Sequence, residues 1–445
     1  MDLFVGQPFK GPQPKYSAPH EAKPTPATVL TPLAKSASPR PGPGFSEGAT
    51  RSVGVDLETG EVQDGAGARL DRWADQATAR RLLGSEHRVA TCLRRPVPVS
   101  KGSTGEGVPV YRRDTSATYY GGLQVCGSAW ICPCCAAKIS ERRRAEVQEA
   151  IRRHTAAGGE VLLMTMTVPH SRKDAALELV DAACKALRSF WAGKGRRLAF
   201  DGAGLVGSVR ALEVTHSEGA GWHPHYHALL FVAGGLDIAA LAALERRLFK
   251  HWAGRVAAAG LGEASPDAFT LQGGALAAKY IAKGSGWGIA DELTKANLKQ
   301  ARGGGRRSPF ALLRDARHGD ERAGRLFVTY ARAFKGRSQL QWSPGLRAYL
   351  ELCQELSDEQ LAQAVPELDY KLGTLTYTDW NVIVRHDLRA VVLEVARSGE
   401  WSDVQALVNR YRTPARARAP RPCLRPVKAS ESRSCGPPAP SLGVP

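Results

Sequence analysis

The sequence has no long apolar run and no apolar segment behind a positively charged N-terminus. A membrane-spanning helix needs about 20 mostly apolar residues in a row, and a secretory signal needs an apolar core after basic residues. Acidic residues are also few, since 43 Asp and Glu stand against 61 Lys and Arg, for a formal charge of +18. We therefore expect a cytoplasmic protein without a membrane partner, whose main partner is a polyanion, most simply nucleic acid.

The nine cysteines do not follow the distribution of a disulfide scaffold. A chain without a signal peptide is not expected to form disulfides, and tight clustering favours a metal site. Cys132 and Cys135 form a CxxC pair, whose spacing lets two thiolates reach one tetrahedral zinc ion. Cys126 and Cys92 are the candidate third and fourth ligands. Four cysteine ligands would close the site, which favours structural over catalytic zinc.

Alternatives remain open within this cysteine segment. His87 can replace Cys92 as a ligand, and Cys134 competes with Cys135, although we expect Cys134 to be a spectator. A redox role is the other interpretation, but the segment lacks the βαβ pattern of such sites. The scattered cysteines are expected to be inert: Cys184, Cys353, Cys423 and Cys435.

Proline content and charge divide the chain into segments. The first 45 residues contain ten prolines, a composition that cannot bury enough apolar surface to offset chain entropy. The basic tail is of the same kind and can add DNA affinity that is independent of sequence. The predicted segments are 1–84, disordered; 85–150, cysteine-rich, with a basic helix from about residue 136; 151–300, a domain of mixed strands and helices; 301–350, a basic segment that completes the core or contacts nucleic acid; 351–413, a helical accessory region; and 414–445, a disordered tail.

Hydrophobic periodicity predicts a mixed order of strands and helices between the tails. Two consecutive strands joined by a glycine-containing loop at His216–Trp222 indicate an antiparallel pair. We therefore expect an α+β fold with an antiparallel sheet flanked by helices. The predicted strands are Val161–Val168, Val206–Thr215, His225–Val232 and Ala268–Gln272, and the predicted helices are Ala175–Trp191, Ile238–Ala259 and Ala275–Lys283.

Three histidines lie close together at the start of the third predicted strand. His225 and His227 share one strand face, with origins about 7 Å apart, and can converge on one ion. His223 precedes a proline and is expected to lie outside the regular strand. Glu213, an acid in an apolar run of the neighbouring strand, is the candidate third ligand. This donor set suits Mg²⁺ or Mn²⁺, although ordinary solvent-facing histidines are the alternative.

A tyrosine on the last predicted helix is the candidate nucleophile. Tyr280 and Lys283 lie three residues apart on one helical face, so the ammonium group can stabilise a phenolate. Lys279 lies on another face and is expected to contact the DNA backbone. For so short a motif taken alone, the structural alternative, a packed tyrosine and a solvated lysine, is the preferred interpretation.

Several other residues are candidates for DNA contact. Gly303–Arg307 and Lys335–Arg337 are basic and flexible enough to contact phosphates, with Lys335 and Arg337 as the candidate ligands. Trp287 and Trp342 can stack on unpaired bases, with core packing as the alternative. The SDEQ stretch at Ser357 resembles a helix capping box.

Together these segments resemble the rolling-circle plasmid replication initiators of the HUH endonuclease class. The motifs occur in this order: CGSAWICPCCAAKI around the cysteines, TMTVPH at 165–170, EVTHSEGAGWHPHYHALLFV from Glu213, AAKYIAKGSGW from Ala277 and FKGRSQLQWSPGLR from Phe334. The resemblance implies an HUH-type antiparallel sheet that carries the histidine pair, with the tyrosine helix packed beside it. It also implies metal ligation by His225 and His227, and Tyr280 as the nucleophile.

The activity implied is nicking of one strand at a double-strand origin. Tyr280 would remain on the 5′ phosphate, and the freed 3′ hydroxyl would prime synthesis, with plasmid origin DNA, host helicase and polymerase as partners. One position departs from the pattern, because some relatives have a glutamate where this chain has Leu276. Termination would then depend on another carboxylate, such as Asp291 or Glu292, or on a second strand transfer.

Three other functions compete with this interpretation. The HPHYHAL motif also fits histidine-triad nucleotide hydrolases and transferases, but the charge and the cysteine segment argue against a small-nucleotide enzyme. A zinc-dependent DNA-binding regulator would leave the histidines and Tyr280 unexplained. A relaxase or transposase would share the chemistry of the initiator, and the YIAK helix and the cysteines favour the initiator.

Overall fold

A computed structural model describes residues 66–98, 107–113, 117–273, 305–363 and 370–412, and two short strands that precede them. The strands are β1 (Gly54–Val55), β2 (Val62–Gln63), β3 (Val108–Arg113), β4 (Ala117–Tyr120), β5 (Glu160–Thr167), β6 (Leu205–Ser217), β7 (Gly221–Val232), β8 (Phe269–Gln272), β9 (Leu340–Trp342) and β10 (Tyr370–Leu375).

The α-helices of the described residues lie before, between and after these strands. They are α1 (Ala66–Leu83), α2 (Pro133–Ala156), α3 (Ala176–Phe190), α4 (Gly193–Ala199), α5 (Ile238–Ala258), α6 (Pro309–Arg317), α7 (Glu321–Ala333), α8 (Leu346–Tyr349), α9 (Asp358–Gln363), α10 (Tyr377–Arg385), α11 (Arg389–Ser398) and α12 (Trp401–Tyr411).

The largest sheet has five antiparallel strands in the order β8-β5-β7-β6-β9. The expected pair of long strands is therefore confirmed, and it lies at the centre of the sheet. Since side chains alternate across a strand, each strand supplies two faces. On one face Met164 and Tyr226 join a core with α3 and α5, whereas on the other Leu163 and Leu229 pack in a core with α2. The mixed α+β class with helices on both faces is thus confirmed.

The turn between β6 and β7 is tighter than we predicted. The expected loop at His216–Trp222 is wrong at both ends, because His216 pairs with Trp222 and the strands continue to Ser217 and from Gly221. His223 therefore lies inside β7, opposite Thr215, and the expectation that it lies outside the strand is also wrong. The ladder with β5 begins only at His225, so β7 is still an edge strand on that side at Pro224, where proline is tolerated.

A second sheet joins the two ends of the described chain. Its order is β10-β3-β4, and α10–α12 pack on it around a core that includes Val110 and Trp380. The expectation of a helical region at 351–413 is therefore incomplete, because β10 is a strand. The residues of β10 do not follow a regular strand pattern, because the pairing of β10 with β3 is irregular between Lys371 and Gly373. Any Cβ on Gly373 would fall 2.3 Å from the ring of Trp401, so the close packing needs glycine there.

Part of the N-terminal segment that we expected to be disordered is helical. We assigned 1–84 to disorder, but α1 occupies Ala66–Leu83, which corrects that boundary. Arg69 and Gln76 of this helix are buried, and Gln76 lies against the cysteine segment. The prolines that motivated the prediction all precede residue 45, so composition placed the boundary too late.

The predicted capping box at Ser357 is present. The backbone NH of Gln360 donates to Ser357 Oγ at 3.2 Å, and Ser357 NH donates to Gln360 Oε1 at 2.8 Å. These reciprocal bonds satisfy two donors at the start of α9.

Among the described residues, no helix has the length and apolar character needed to cross a bilayer.

Candidate functional site

The centre of the large sheet brings Glu213, His225 and His227 together. Glu213 on β6 lies directly opposite His225 on β7, and His227 follows two residues later on the same face. Their ligand atoms all lie within 4.8 Å of one another. His225 Nε2 is 2.9 Å from Glu213 Oε2, and His227 Nε2 is 3.7 Å from the same oxygen. The alternation of strand side chains thus produces the predicted cluster.

The histidine rings are oriented through their second nitrogens. His227 Nδ1 lies 3.0 Å from Thr165 Oγ1 on β5, and His225 Nδ1 lies 3.3 Å from the carbonyl oxygen of His223. A proton on each Nδ1 can be donated to these oxygens, which leaves the Nε2 lone pairs on the side of Glu213. This outer-shell arrangement is typical of histidine ligands in metal sites.

The cluster is buried on the protein side but not closed. The Glu213 side chain is only 4% exposed, whereas His225 and His227 retain 14% and 11%. A carboxylate at that depth is costly unless it is paired or metal-bound. Two imidazoles and one carboxylate fit a divalent ion that keeps open positions, so the donor chemistry suits Mg²⁺ or Mn²⁺.

His223 lies beside this cluster and has a different environment. It contacts His170, whose Nε2 is 3.2 Å from His223 Nδ1, and it does not belong to the group of converging ligand atoms. Burial, followed by the charges of His225 and His170, lowers the pKa of His223 to about 3. His223 is therefore a neutral ring at the rim of the cluster, held by a partner from the TMTVPH segment.

A second group contains Cys92, Cys126, Cys132 and Cys135, all buried, with sulfurs within 4.8 Å of one another. The sulfur–sulfur distances are 3.8 Å for Cys92–Cys132, 3.5 Å for Cys92–Cys135 and 3.7 Å for Cys126–Cys135. Zinc–sulfur bonds of about 2.3 Å in a tetrahedron place the sulfurs about 3.8 Å apart. The spacing of the four sulfurs therefore fits one zinc ion.

The start of α2 explains this arrangement. Cys132 precedes the helix as its N-cap and Pro133 is its first residue, so the CxxC pair lies in one turn at the helix start. Thiol hydrogen bonds within the group, that with Cys126 first, raise the pKa of Cys92. Such crowding opposes several thiolates at once unless a cation is bound.

The two alternative zinc ligands lie outside this group. Cys134 Sγ is 3.8 Å from the backbone oxygen of Arg72. His87 caps a short 3₁₀ helix by accepting a hydrogen bond from Val89 NH on Nδ1. Neither residue belongs to the converging set.

The candidate nucleophile and its neighbours fall outside the described residues, which stop at Gly273 and resume at residue 305. Their predicted roles therefore stay predictions. The residues concerned are Lys279, Tyr280, Lys283, Leu276, Trp287, Asp291 and Glu292.

The predicted DNA-contact residues have different environments. Lys335 is exposed and stays a candidate. Arg337 instead donates to Asp181 Oδ1 at 2.7 Å and to the Ala333 carbonyl oxygen at 2.6 Å, so its guanidinium links two parts of the fold. Arg307 similarly faces three carboxylates, those of Glu218, Asp315 and Asp320. These ion pairs give both guanidinium groups partners within the fold, and their contact with DNA stays a prediction.

Trp342 is buried, and the guanidinium of Arg347 lies 4.8 Å from its ring. Core packing, the alternative we gave to base stacking, therefore describes Trp342.

Sequence reasoning missed three residues that support the two groups. Thr165 and His170 orient or contact histidines, and Gln76 donates to Cys132 Sγ at 3.4 Å. The alternation that exposes Thr165 on the histidine-bearing side of β5 was visible in the sequence. The contact of Gln76 was not, because it joins residues far apart in the chain.

The fold and these groups define a class: an α+β protein with one side-chain group suited to an oxygen-seeking divalent ion and one suited to zinc. Residues 122–236 match the family model described as replication protein. The matched range contains both histidines, Glu213 and three of the four clustered cysteines.

Two curated proteins are similar to this chain in sequence, one over most of its length and one over a shorter part. The chain is 30% identical over 375 residues to "Protein rep" of Streptomyces lividans, covering 67% of this chain and 80% of that protein. It is 34% identical over 152 residues to a "Neomycin resistance protein" of Streptomyces cyanogenus, covering 29% of this chain and 35% of that protein. No solved structure gives a significant match.

The chain belongs to the replication protein (Rep) family. This confirms the resemblance to plasmid replication initiators that the motifs indicated.

Proposed function

We propose that this replication initiator nicks one strand of plasmid origin DNA by attack of Tyr280 on a phosphodiester. The observation that carries the proposal is the convergence of Glu213, His225 and His227 on one face of the central strands. The three are proposed to hold Mg²⁺ or Mn²⁺, which when bound would polarise the scissile phosphate and stabilise its developing charge.

The fold supports a position for the nucleophile near this cluster. The last described residue before the gap, Gly273, follows β8, which is two strands from β7. That separation is about 10 Å, and the seven residues from Gly273 to Tyr280 span at most about 24 Å when extended. The phenol can therefore reach the exposed side of the two histidines.

The proposed reaction is a transesterification. The Tyr280 oxygen bonds to phosphorus, and the bond from phosphorus to the 3′ oxygen breaks. The phenol loses its proton, the leaving oxygen gains one, and the products are a 5′ phosphotyrosine ester and a free 3′ hydroxyl. Lys283 is proposed to stabilise the phenolate, and Glu213, His225 and His227 would hold the ion, which would supply positive charge to the phosphate.

The cysteine group is proposed to bind structural zinc. It holds the segment after β4 against the start of α2, and four sulfurs leave no open ligand position for catalysis. The Mg²⁺ or Mn²⁺ of nicking and the zinc of folding are thus assigned to separate sites.

The DNA partner is proposed to meet the protein as duplex origin and as the unpaired strand to be cut. The positive charge supplies affinity that is independent of sequence, with exposed Lys335 and the predicted Lys279 as contacts. A host polymerase would extend the 3′ end, and a host helicase is a further proposed partner. Termination stays open between a carboxylate base and a second strand transfer.

The test uses a pool of single-stranded oligonucleotides with a randomised centre, incubated with the protein and Mn²⁺. We expect a covalent adduct that mass spectrometry maps to Tyr280 and that selects a common cleavage sequence. Tyr280→Phe should abolish the adduct but retain DNA binding. An adduct on a histidine would instead support the nucleotide-transferase chemistry, and no adduct in any pool would contradict nicking.

A further inference from the structure

A cavity of about 230 Å³ lies on the face of the large sheet opposite the histidine cluster. It is bounded by α3, by β6 and β7, and by the segment that leads into β9. Tyr226, which separates His225 and His227 along β7, points into it and donates to Cys184 Sγ at 3.4 Å. The cavity and the group of Glu213, His225 and His227 therefore share strands β6 and β7 but have no residue in common.

The lining of this cavity is cationic. Arg188, Arg210 and Arg337 line it, and no Asp or Glu among the described residues does. Arg337 is paired with Asp181, whereas the Arg210 guanidinium lies 5.2 Å from the Trp191 ring centroid, a contact that supplies no formal negative charge. Burial, followed by the charge of Arg196, lowers the pKa of Arg210, as expected for a cation that has left water without a carboxylate partner.

Two buried donor atoms of this lining have no hydrogen-bond partner among the described residues: Arg210 Nε and Gln339 Nε2. Gln339 is 7% exposed. An unsatisfied buried donor is costly, and native structures contain few of them. The side chains that carry these donors, Arg210 and Gln339, line the cavity together with Arg188, and a negatively charged acceptor is the partner that suits all three.

We propose that this cavity binds a phosphate group through Arg210, Gln339 and Arg188. A phosphate offers several strong acceptor oxygens to guanidinium and amide donors, and arginine recognises it by paired hydrogen bonds. One water molecule occupies about 30 Å³ in the liquid, so the cavity is several times larger than a single water. It accommodates a phosphate together with its hydration water or an attached sugar. The phosphate can be free or part of the DNA backbone. If the phosphate belongs to the DNA backbone, the cavity is a DNA contact separate from the nicking site, and this part of the proposal rests on the proposed function.

Cys184 makes the proposal measurable, because its partly exposed thiol lines the cavity. Alkylation of Cys184 by iodoacetamide is followed by mass spectrometry at constant ionic strength and without added divalent ions. Exposed Cys353, which does not line the cavity, is the internal reference. We expect inorganic phosphate or a short single-stranded oligothymidylate to slow alkylation of Cys184 but not of Cys353.

Variants separate this site from general charge effects. Arg210→Gln should weaken protection at least about tenfold, since a charge-assisted contact is lost. Gln339→Glu keeps the shape but places a carboxylate beside Arg210, and should abolish protection. Arg246→Gln removes an exposed arginine of α5 that does not line the cavity and should leave protection unchanged.

Calorimetric titration of the same variants with inorganic phosphate provides a second readout that does not depend on thiol reactivity. Protection by the oligonucleotide alone assigns the site to the DNA backbone, and protection by inorganic phosphate alone assigns it to free phosphate. The proposal is overturned if neither ligand binds or protects, or if Arg210→Gln and Gln339→Glu behave like wild type. Nicking need not be measured, so failure here would leave the proposed function untouched.

Discussion

The two metal-compatible groups of this protein differ in how they are enclosed. The cysteine group draws its sulfurs from connecting segments and the first turn of α2, and all four side chains are buried. Glu213, His225 and His227 instead project from two adjacent central strands, and both histidines keep some solvent access. One group is closed on every side, and the other presents an open face.

This difference predicts different roles. A closed tetrahedral site contributes folding free energy, because its geometry exists only when the surrounding segments are in place. A group on paired strands is positioned by the sheet itself, and its open side can receive a substrate. Damage to the first should therefore appear as lost stability, and damage to the second as lost activity in a folded protein.

The largest expected effect is that of Cys132→Ser on folding. Structural zinc contributes about 10–16 kcal/mol in small zinc domains, more than most proteins have as net stability. We expect loss of bound zinc and of the cooperative thermal transition, measured by elemental analysis and circular dichroism. Cys134→Ser is the matched control, since its sulfur lies outside the group, and it should keep one zinc per chain. Retained zinc and an unchanged Tm in Cys132→Ser would remove the distinction between the groups.

The next effect is that of His225→Ala on nicking. Removing a direct ligand should slow covalent-adduct formation by more than about 100-fold, the upper range for loss of an outer-shell partner. The Tm should change by only a few degrees, because the strand pairing stays intact. His223→Ala sharpens the test, since His223 lies in the same strand but outside the converging group, and a smaller loss is expected. A collapse of the Tm in His225→Ala would show that this group also sustains the fold.

A third effect concerns the outer shell of the cysteine group. Gln76 donates to Cys132 Sγ and accepts from Arg389 Nη1 at 3.1 Å, which ties α1 to the C-terminal helices. Gln76→Ala leaves a buried arginine short of one partner, and we expect a loss of about 2–3 kcal/mol in the free energy of unfolding. Exposed Gln363→Ala, measured in the same urea titrations, should stay within about 0.5 kcal/mol of wild type. Equal effects of the two variants would contradict the proposed link.

The features that the sequence predicted correctly are those whose interacting residues lie close together in the chain. The strands that carry Glu213, His225 and His227 were predictable, because alternation and a short turn are local signals. The convergence of these three side chains followed from the same period-two rule.

Other features depended on distant contacts. β10 was missed because its partner β3 lies about 260 residues away in sequence and its own pattern includes a glycine that close packing with Trp401 requires. Arg337 was chosen for its charge, but its role is set by Asp181 on α3. No local pattern in the sequence reports a partner of that kind.

The smallest expected effect is on the outer shell of the histidine group. Thr165→Val removes the hydroxyl that orients His227 while keeping the shape of the side chain. We expect the Mn²⁺ concentration needed for half-maximal nicking to rise about 10–100-fold, and Thr165→Ser to restore it. Thr167→Val is the matched control on the same strand, since its hydroxyl donates to the Ala268 carbonyl oxygen and not to a ligand. If both valine variants raise the required Mn²⁺ concentration equally, the cause is a change in β5 as a whole. The Thr165 hydroxyl would then have no specific role in orienting His227.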